Sequence, residues 1–253
     1  MTTRLAGRRC LVTGAARGIG RAVAEKMVEH GARVAVADID IATAREVAGG
    51  LGDAGLAIEL DVTNAAAWAR AVAAADEAFG GLDVLVNNAG IIIMGSVESL
   101  DEADWDRTMD VDLKSVFLGC RAALPVLARS APASIVNMSS IAGLFGGHNM
   151  AAYNAAKAGV HLLTKSVALH AARKKYGVRC NSVHPTFVDT TMVDGLSRSG
   201  DAGEIRAKLA AQVPLGRIGT VDDVAWAVIY LASEESAFMT GAEIKLDGGL
   251  SAM

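Results

Sequence analysis

The chain has 253 residues, 52% of them apolar but only 4% aromatic, so a core of one large domain must be built mainly from Ala, Val, Leu and Ile. A formal net charge of -4 argues against a nucleic-acid partner, and the short basic run Arg173-Lys174-Lys175 reads as a solvated helix end. Three scattered cysteines (Cys10, Cys120, Cys180) without Cys-x-x-Cys spacing argue for reduced thiols and no metal, and no apolar run reaches the length of a membrane span. With no apolar signal core after Met1–Leu5, the expectation is a cytoplasmic protein with no membrane partner.

Arg9 to Val12 reads as a first strand, followed by a glycine loop and a helix from Ile19 to His30 that Gly31 stops. Arg33 to Ala37 is a second strand, apolar throughout as a sheet buried on both faces requires, and Asp38 ends it. A helix over Ile41–Leu51, a strand over Gly55–Leu60, a helix over Ala65–Phe79 and a strand over Val84–Asn87 follow. The second half predicts one long helix over Trp105–Arg129, a strand over Ser134–Met138, and a glycine-rich loop from Gly143 to Gly147. A long helix over Ala151–Tyr176 leads to a strand over Arg179–Val183. The segment Thr186–Val213 has no core-strand pattern and reads as a mobile substrate lid with helical pieces. A helix over Asp222–Ser233 and a strand over Glu243–Leu246 close the chain. Seven strands alternating with helices predict a single-domain α/β fold: a Rossmann-like, doubly wound parallel sheet with helices on both faces.

The loop Thr13-Gly14-Ala15-Ala16-Arg17-Gly18-Ile19-Gly20 stands where such folds bind ligands, at the carboxyl end of the first strand. Gly14 permits the tight turn. Gly18, Ile19 and Gly20 bring a helix N-terminus, with its free N–H groups, toward a pyrophosphate. A glycine-rich turn is also a common structural device, so the loop alone decides little. Asp38 adds weight. It ends the second strand eighteen residues after Gly20, where a carboxylate accepts hydrogen bonds from adenosine ribose hydroxyls and repels a 2′-phosphate. NAD is therefore favoured over NADP. Arg17 is the contrary signal, a basic group able to pair with that phosphate, but Ile39 supplies no second one beside Asp38.

Tyr153 and Lys157, four apart, share one face of the predicted helix. A tyrosine with a pKa of about 10 is a poor base at neutral pH, and a neighbouring ammonium lowers it. Tyr153 can then take a hydroxyl proton as hydride leaves the carbon, or return it in reverse. Ser140, thirteen residues earlier on the loop after the fifth strand, can orient the substrate oxygen. Tyr-x-x-x-Lys by itself fits an ordinary amphipathic helix equally well; the serine loop and the glycine loop upstream favour chemistry.

Taken together, these motifs, with Asn87-Asn88-Ala89-Gly90, Thr240-Gly241 and Asp247-Gly248-Gly249, resemble the short-chain dehydrogenase/reductase family from near the start of the chain to near its end. The resemblance implies that Ser140, Tyr153 and Lys157 are catalytic and that Lys157 also holds the nicotinamide ribose. It implies that Asp61 and Val62 flank the adenine and that Asn88, Ala89 and Gly90 line the cofactor cleft. Pro185, Val188 and Thr190 would lie at the nicotinamide end, the last two against the carboxamide. It also implies a homotetramer. Two positions depart from the family pattern. Asp112, in Val111-Asp112-Leu113, stands where the family has an asparagine that serves a proton relay behind the lysine. An ionised Asp112 would raise the lysine's pKa; alternatively its carboxylate caps a helix bend. Thr186 follows Pro185 where the family has glycine, which narrows the pocket or adds a hydroxyl contact.

The loops expected around a substrate carry Ile91, Ile92, Met94, Leu144, Phe145, Phe187, Met192 and Leu196, with His148 and Asn149. An apolar pocket suits a hydrophobic cyclic or aromatic secondary alcohol, or its ketone, better than a phosphorylated sugar. His148 reads as a loop or surface residue. The leading expectation is NAD-dependent interconversion of such an alcohol and ketone. The alternatives are an NADPH-dependent 3-oxoacyl-carrier-protein reductase, which Asp38 opposes, and a non-catalytic dinucleotide-binding protein.

Overall fold

The central strands are apolar on both sides because each is covered on both sides. In β1 (Arg9–Thr13), Leu11 enters one core while Cys10 and Val12 enter the other. In β2 (Arg33–Asp38), Ala35 and Ala37 alternate in the same way with Val34 and Val36. The structure, a computed structural model, describes residues 3–194 and 202–253.

Between these strands runs α1 (Gly18–Glu29). After β2 come α2 (Ile41–Gly50), β3 (Gly55–Glu59), α3 (Ala65–Phe79) and β4 (Val84–Asn87). Asn64 caps α3 by accepting from Ala66 N and Ala67 N, and Gly80 ends it at φ 75°. The second half continues with α4 (Glu102–Met109), α5 (Ser115–Arg129), β5 (Ala133–Met138), α6 (Ala151–Arg173) and β6 (Val178–Pro185). Then come the short α7 (Thr191–Asp194), α8 (Ala202–Ala210), α9 (Val221–Ala232) and β7 (Glu243–Leu246). All seven strands are parallel, in the order β3-β2-β1-β4-β5-β6-β7. One face is covered by α3, α5 and α6 through Trp68, Val116 and Val160; the other by α1, α2 and α9 through Met27, Val47 and Val228. The three cysteines are reduced and buried. This is the Rossmann-like, doubly wound α/β domain that the alternating pattern predicts.

Besides shifts of one to three residues at other element ends, three differences from the sequence expectation bear on the site. The predicted helix over 105–129 starts earlier, at Glu102, and is broken by a π-helical turn over Asp110–Lys114 that separates α4 from α5. The extra residue in that turn carries Asp112 inward, where it is fully buried. Gly159 on α6 allows the approach, since a Cβ there would stand 2.7 Å from Leu113 Cδ2. β6 runs two residues beyond the predicted Val183, because Ser182 to Pro185 pair in register with Glu243 to Leu246. In the segment expected to be a lid, α7 and α8 supply helix, while residues 195–201, Leu196 among them, lie outside the described residues. Among the described residues no helix is long and apolar enough to cross a membrane.

Gly119 on α5 marks the tightest contact with α3: an added Cβ would meet Asn87 Oδ1 and lie 2.6 Å from Trp68 Cη2. Gly119→Ala is therefore expected to lower stability by about 1–3 kcal/mol through overpacking. The check is urea unfolding, where the midpoint falls at an unchanged slope. An unmoved midpoint would mean that Trp68 yields freely.

Candidate active site

The strand order reverses between β1 and β4, so their carboxyl ends open a crevice there. Thr13 and Asn88 tie its two lips together. The Thr13 hydroxyl accepts from Asn88 N (3.0 Å) and Ala89 N (3.1 Å). The Asn88 amide donates to Thr13 O (2.9 Å) and Gly14 O (3.2 Å). Gly14 has φ +61°, and a Cβ there would sit 2.8 Å from Ala89 Cα. The loop and the β4 end thus approach backbone to backbone.

The N-terminus of α1 points into the same crevice edge without a side-chain cap, and its first turn holds no acid. Its first three N–H groups have no partner within the helix, which suits an anion. Gly18, at φ +54°, has only Thr190 near the place of a Cβ, at 3.6 Å, so the segment after β6 folds beside the loop. Val188 is buried, its bridge to Gly219 holding that segment, and Thr190 donates to Val188 O. A loop in which a Cβ is excluded at Gly14 and Gly20, and would meet only Thr190 at Gly18, fits the close approach of a pyrophosphate-bearing dinucleotide.

Asp38 lies at the far end of the crevice. Its Oδ2 accepts from Ala16 N and its Oδ1 from Asp40 N, both at 3.0 Å, so the carboxylate is fixed with a lone pair left on each oxygen. Arg17 pairs with Asp40 at 3.0 Å. Asp40 also caps α2 through Thr43, whose hydrogen bonds hold its carboxyl below the usual range. Asp61, exposed, accepts from Thr63 N and Oγ1, while Val62 O accepts from Trp68 Nε1 (2.9 Å).

The titratable cluster forms where β4, β5 and β6 end against α6. Lys157 Nζ lies 3.2 Å from Asp112 Oδ2, donates to Met138 O at 3.3 Å, and stands 5.5 Å from the Tyr153 ring centre. Asp112 Oδ1 accepts from Ile91 N at 2.8 Å. Oδ2 has no partner in hydrogen-bonding geometry, so charge holds it to the ammonium. Both partners, Ile91 and Lys157, lie outside its own helix. Gly90 makes room: a Cβ there would be 3.3 Å from Lys157 Nζ and 3.5 Å from Asp112 Oδ2.

Burial opposes the Lys157 ammonium, but the Asp112 carboxylate and then Tyr153 carry its pKa above the usual value. Burial lifts the Asp112 carboxyl above its usual range against the pull of Lys157. The Tyr153 phenol ends up raised, not lowered: burial pushes it up, Lys157 pulls it down, Asp112 pushes it up again, and the Ser140 hydroxyl pulls it down. Counting only the lysine's pull predicts a lowered phenol; burial and the direct effect of the Asp112 charge on Tyr153 reverse the sign.

Ser140 is buried, its Oγ accepting from Ala142 N at 3.1 Å and donating weakly to Pro185 O at 3.4 Å. Asn154, next to Tyr153, accepts from Gly147 N and donates to Phe145 O and Ala142 O, which pins the following loop to α6. That loop runs beside the one after β4, through Gly95 N to Asn149 O at 2.8 Å. Ile91, Ile92 and Leu144 are half-buried there, and Met94 and Phe145 are exposed. His148 is exposed, and the hydroxyl of Thr186 is buried without a partner. The Met192 side chain lies outside the described set. Thr13, Asp40 and Asn154 are contacts that sequence reasoning gave no part; only Thr13, inside the glycine motif, carried a signal.

A family profile described as enoyl-(acyl carrier protein) reductase matches residues 14–251. The chain is 44% identical to a trans-4-hydroxycyclohexanecarboxylate dehydrogenase of Sinomonas cyclohexanicum, covering 100% of this chain and 96% of that one. It is 40% identical to an NADP-dependent (R)-specific alcohol dehydrogenase of Lentilactobacillus kefiri, covering 100% of both. It is 43% identical to a 3-alpha-(or 20-beta)-hydroxysteroid dehydrogenase of Mycobacterium tuberculosis (strain ATCC 25618 / H37Rv), covering 98% of this chain and 91% of that one. With this crevice and these matches over its whole length, the chain belongs to the short-chain dehydrogenase/reductase family, whose members bind a nicotinamide dinucleotide.

Asn88→Ala removes the donors to two backbone carbonyls of the glycine loop. It should cost about 1–2 kcal/mol in urea unfolding and weaken NADH binding in a fluorescence titration. Unchanged binding would detach Asn88 from the dinucleotide cradle.

Proposed function

We propose that this protein is an NAD(H)-dependent oxidoreductase that interconverts a secondary alcohol and a ketone, the substrate being hydrophobic and cyclic or aromatic. The carrying observation is the buried Lys157–Asp112 pair beside Tyr153, near the strand ends that bound the crevice. When bound, the dinucleotide supplies the hydride chemistry. Gly14, Gly18, Ile19, Gly20 and the α1 N-terminus hold its pyrophosphate, with Asn88, Ala89 and Gly90 along the wall. Asp38 receives the ribose hydroxyls and excludes a 2′-phosphate, with Asp61 and Val62 beside the adenine. Arg17 is a single cation in a solvent-exposed pair with Asp40, set against the fixed Asp38 carboxylate. Pro185, Val188 and Thr190 border the nicotinamide end.

Tyr153 is the proton carrier at the alcohol oxygen, and Ser140 orients that oxygen through its weakly engaged hydroxyl. Lys157 stabilises the phenolate by charge, and Asp112 keeps Lys157 protonated. The apolar rim of Met94, Phe145 and the half-buried isoleucines supports a hydrophobic substrate, as do relatives named for cyclohexane, cyclohexadiene and steroid alcohols. Self-association into a homotetramer is supported by exposed Phe117 on α5 and by Leu162 and Leu169, one heptad apart on α6.

The test is NADH formation from a panel of cyclic secondary alcohols, with NAD and NADP compared for kcat/KM. NAD turnover is expected, and Tyr153→Phe should lower kcat by at least about 100-fold. Full activity in Tyr153→Phe would sink the mechanism; preference for NADP would sink the reading of Asp38.

Asp112→Asn removes a negative charge from both Lys157 and Tyr153. The Tyr153 pKa then falls, so the acid limb of the kcat/KM profile for alcohol oxidation is expected to move to lower pH. The alkaline limit set by Lys157 moves down with it. Superimposable pH profiles for the two proteins would exclude a charged Asp112 from the site.

A further inference from the structure

Against the Ser140 backbone sits a buried histidine that the proposed chemistry leaves unused. His184 is fully buried in β6. Residues 182 and 184 project from the same side of that strand, and Ser182 Oγ lies 2.8 Å from His184 Nε2. The other ring nitrogen, Nδ1, lies 3.1 Å from the backbone carbonyl of Ser140.

The partners fix the tautomer. A carbonyl only accepts, so Nδ1 must carry the proton. In the neutral ring Nε2 is then a bare acceptor, and the Ser182 hydroxyl donates to it. The competing acceptor for that hydroxyl, Ala242 O, is farther away at 3.4 Å. Burial holds the His184 pKa down at about 4, with the Ser140 carbonyl pulling it up and His161 pushing it down. His161 on α6 packs edge-on against the ring at 5.2 Å and fixes its plane. His161 Nε2 is 2.7 Å from Glu243 Oε2, though not aligned for a hydrogen bond, and Lys165 lies 3.6 Å from the same carboxylate.

The Ser140 carbonyl therefore accepts twice, from His184 and from Gly143 N at 2.9 Å. The neighbouring Ser139 N donates to Val183 O at 2.9 Å. The segment leaving β5 is thus pinned on both sides where it presents the Ser140 hydroxyl. That hydroxyl needs such support, because its own bond to Pro185 O is long.

We propose that His184 is a positioning residue: as the neutral Nδ1–H tautomer it bridges Ser182 to the Ser140 carbonyl and holds the serine hydroxyl in its place for the substrate oxygen. The inference rests on the assignment of Ser140 proposed above, so its test has one arm that needs no turnover. In the first arm, ¹⁵N-labelled histidine NMR of the wild-type protein reads the tautomer, with His184→Asn used to assign the signal. A neutral ring protonated at Nδ1 is expected across about pH 6 to 9. A ring protonated at Nε2, or charged in that range, overturns the inference whatever the enzyme does.

The second arm is kinetic and uses the alcohol that turns over best. Asn places an amide donor near the position of Nδ1, Gln reaches instead toward the position of Nε2, and Leu does neither. His184→Leu and His184→Gln should lose about tenfold or more in kcat, and His184→Asn should recover most of that loss, because misplacing a catalytic group by fractions of an ångström is costly. NADH affinity should stay level throughout. Melting temperatures separate this from a folding effect: kcat that follows thermal stability rather than the donor to Ser140 overturns the role. If no alcohol is oxidised by the wild type, the proposed function fails while the tautomer measurement still decides the bridge.

Discussion

A parallel sheet covered on both faces has only one place for side chains that must meet a ligand: the ends of its strands. Everything else in this molecule follows from that constraint. The strand interiors alternate small aliphatic groups between two cores, and the polar residues with chemical potential collect where β1, β2, β4, β5 and β6 stop. Thr13 and Asn88 close the gap between the first two of the opposed strand ends. The same reversal of strand order that opens the crevice also requires the close backbone approach at Gly14.

The charge arrangement inside the crevice is a three-body problem. A lysine beside a tyrosine lowers the phenol's pKa in water-like surroundings, but here the ammonium is buried and shares its field with a buried carboxylate. Burying an ammonium alone is costly, and a paired carboxylate offsets that cost while weakening the ammonium's effect on the tyrosine. Burial is the first cause of the raised phenol, and this sharing leaves the ammonium too weak to reverse it. A bound dinucleotide with a positive ring would restore part of the lost field. The π-helical turn makes the arrangement possible, because an uninterrupted helix through 105–129 would not need to turn Asp112 inward at that position.

Much of this was legible in the chain itself. Strand and helix periods located all seven strands, and turn residues such as Gly80 and Gly31 marked element ends. The glycine loop, Asp38 and the pair Tyr153 and Lys157 announced themselves by spacing. What stayed hidden depends on contacts between residues far apart in sequence. The family resemblance put Asp112 behind Lys157, but their direct ion pair spans 45 positions and needs a helix defect that no periodicity encodes. The bridge from His184 to Ser140 spans 44 positions and joins a strand to a loop. Asp40 looks like any helix cap until Arg17, 23 residues earlier, is seen to reach it. Local pattern thus fixes which elements exist, while the balance of charges is decided by packing.

The same distinction bears on cofactor choice. An arginine in the glycine loop suggests a hook for a 2′-phosphate, and a relative 40% identical over the full chain is named as NADP-dependent. The fold therefore does not select the dinucleotide, and the proposed choice of NAD rests on a few side chains at the β2 end. The Arg17–Asp40 pair is largely solvent-exposed, and such pairs contribute only about 0–1 kcal/mol, too little to decide between cofactors. Asp38 is different in kind. It is buried, both its oxygens are fixed by backbone N–H groups, and it cannot swing aside to admit a second anion. A phosphate placed against it would face a fixed carboxylate with little water between them, where like-charge repulsion is least screened. The proposed preference for NAD thus rests on the fixed position of one carboxylate more than on the absence of a cation nearby.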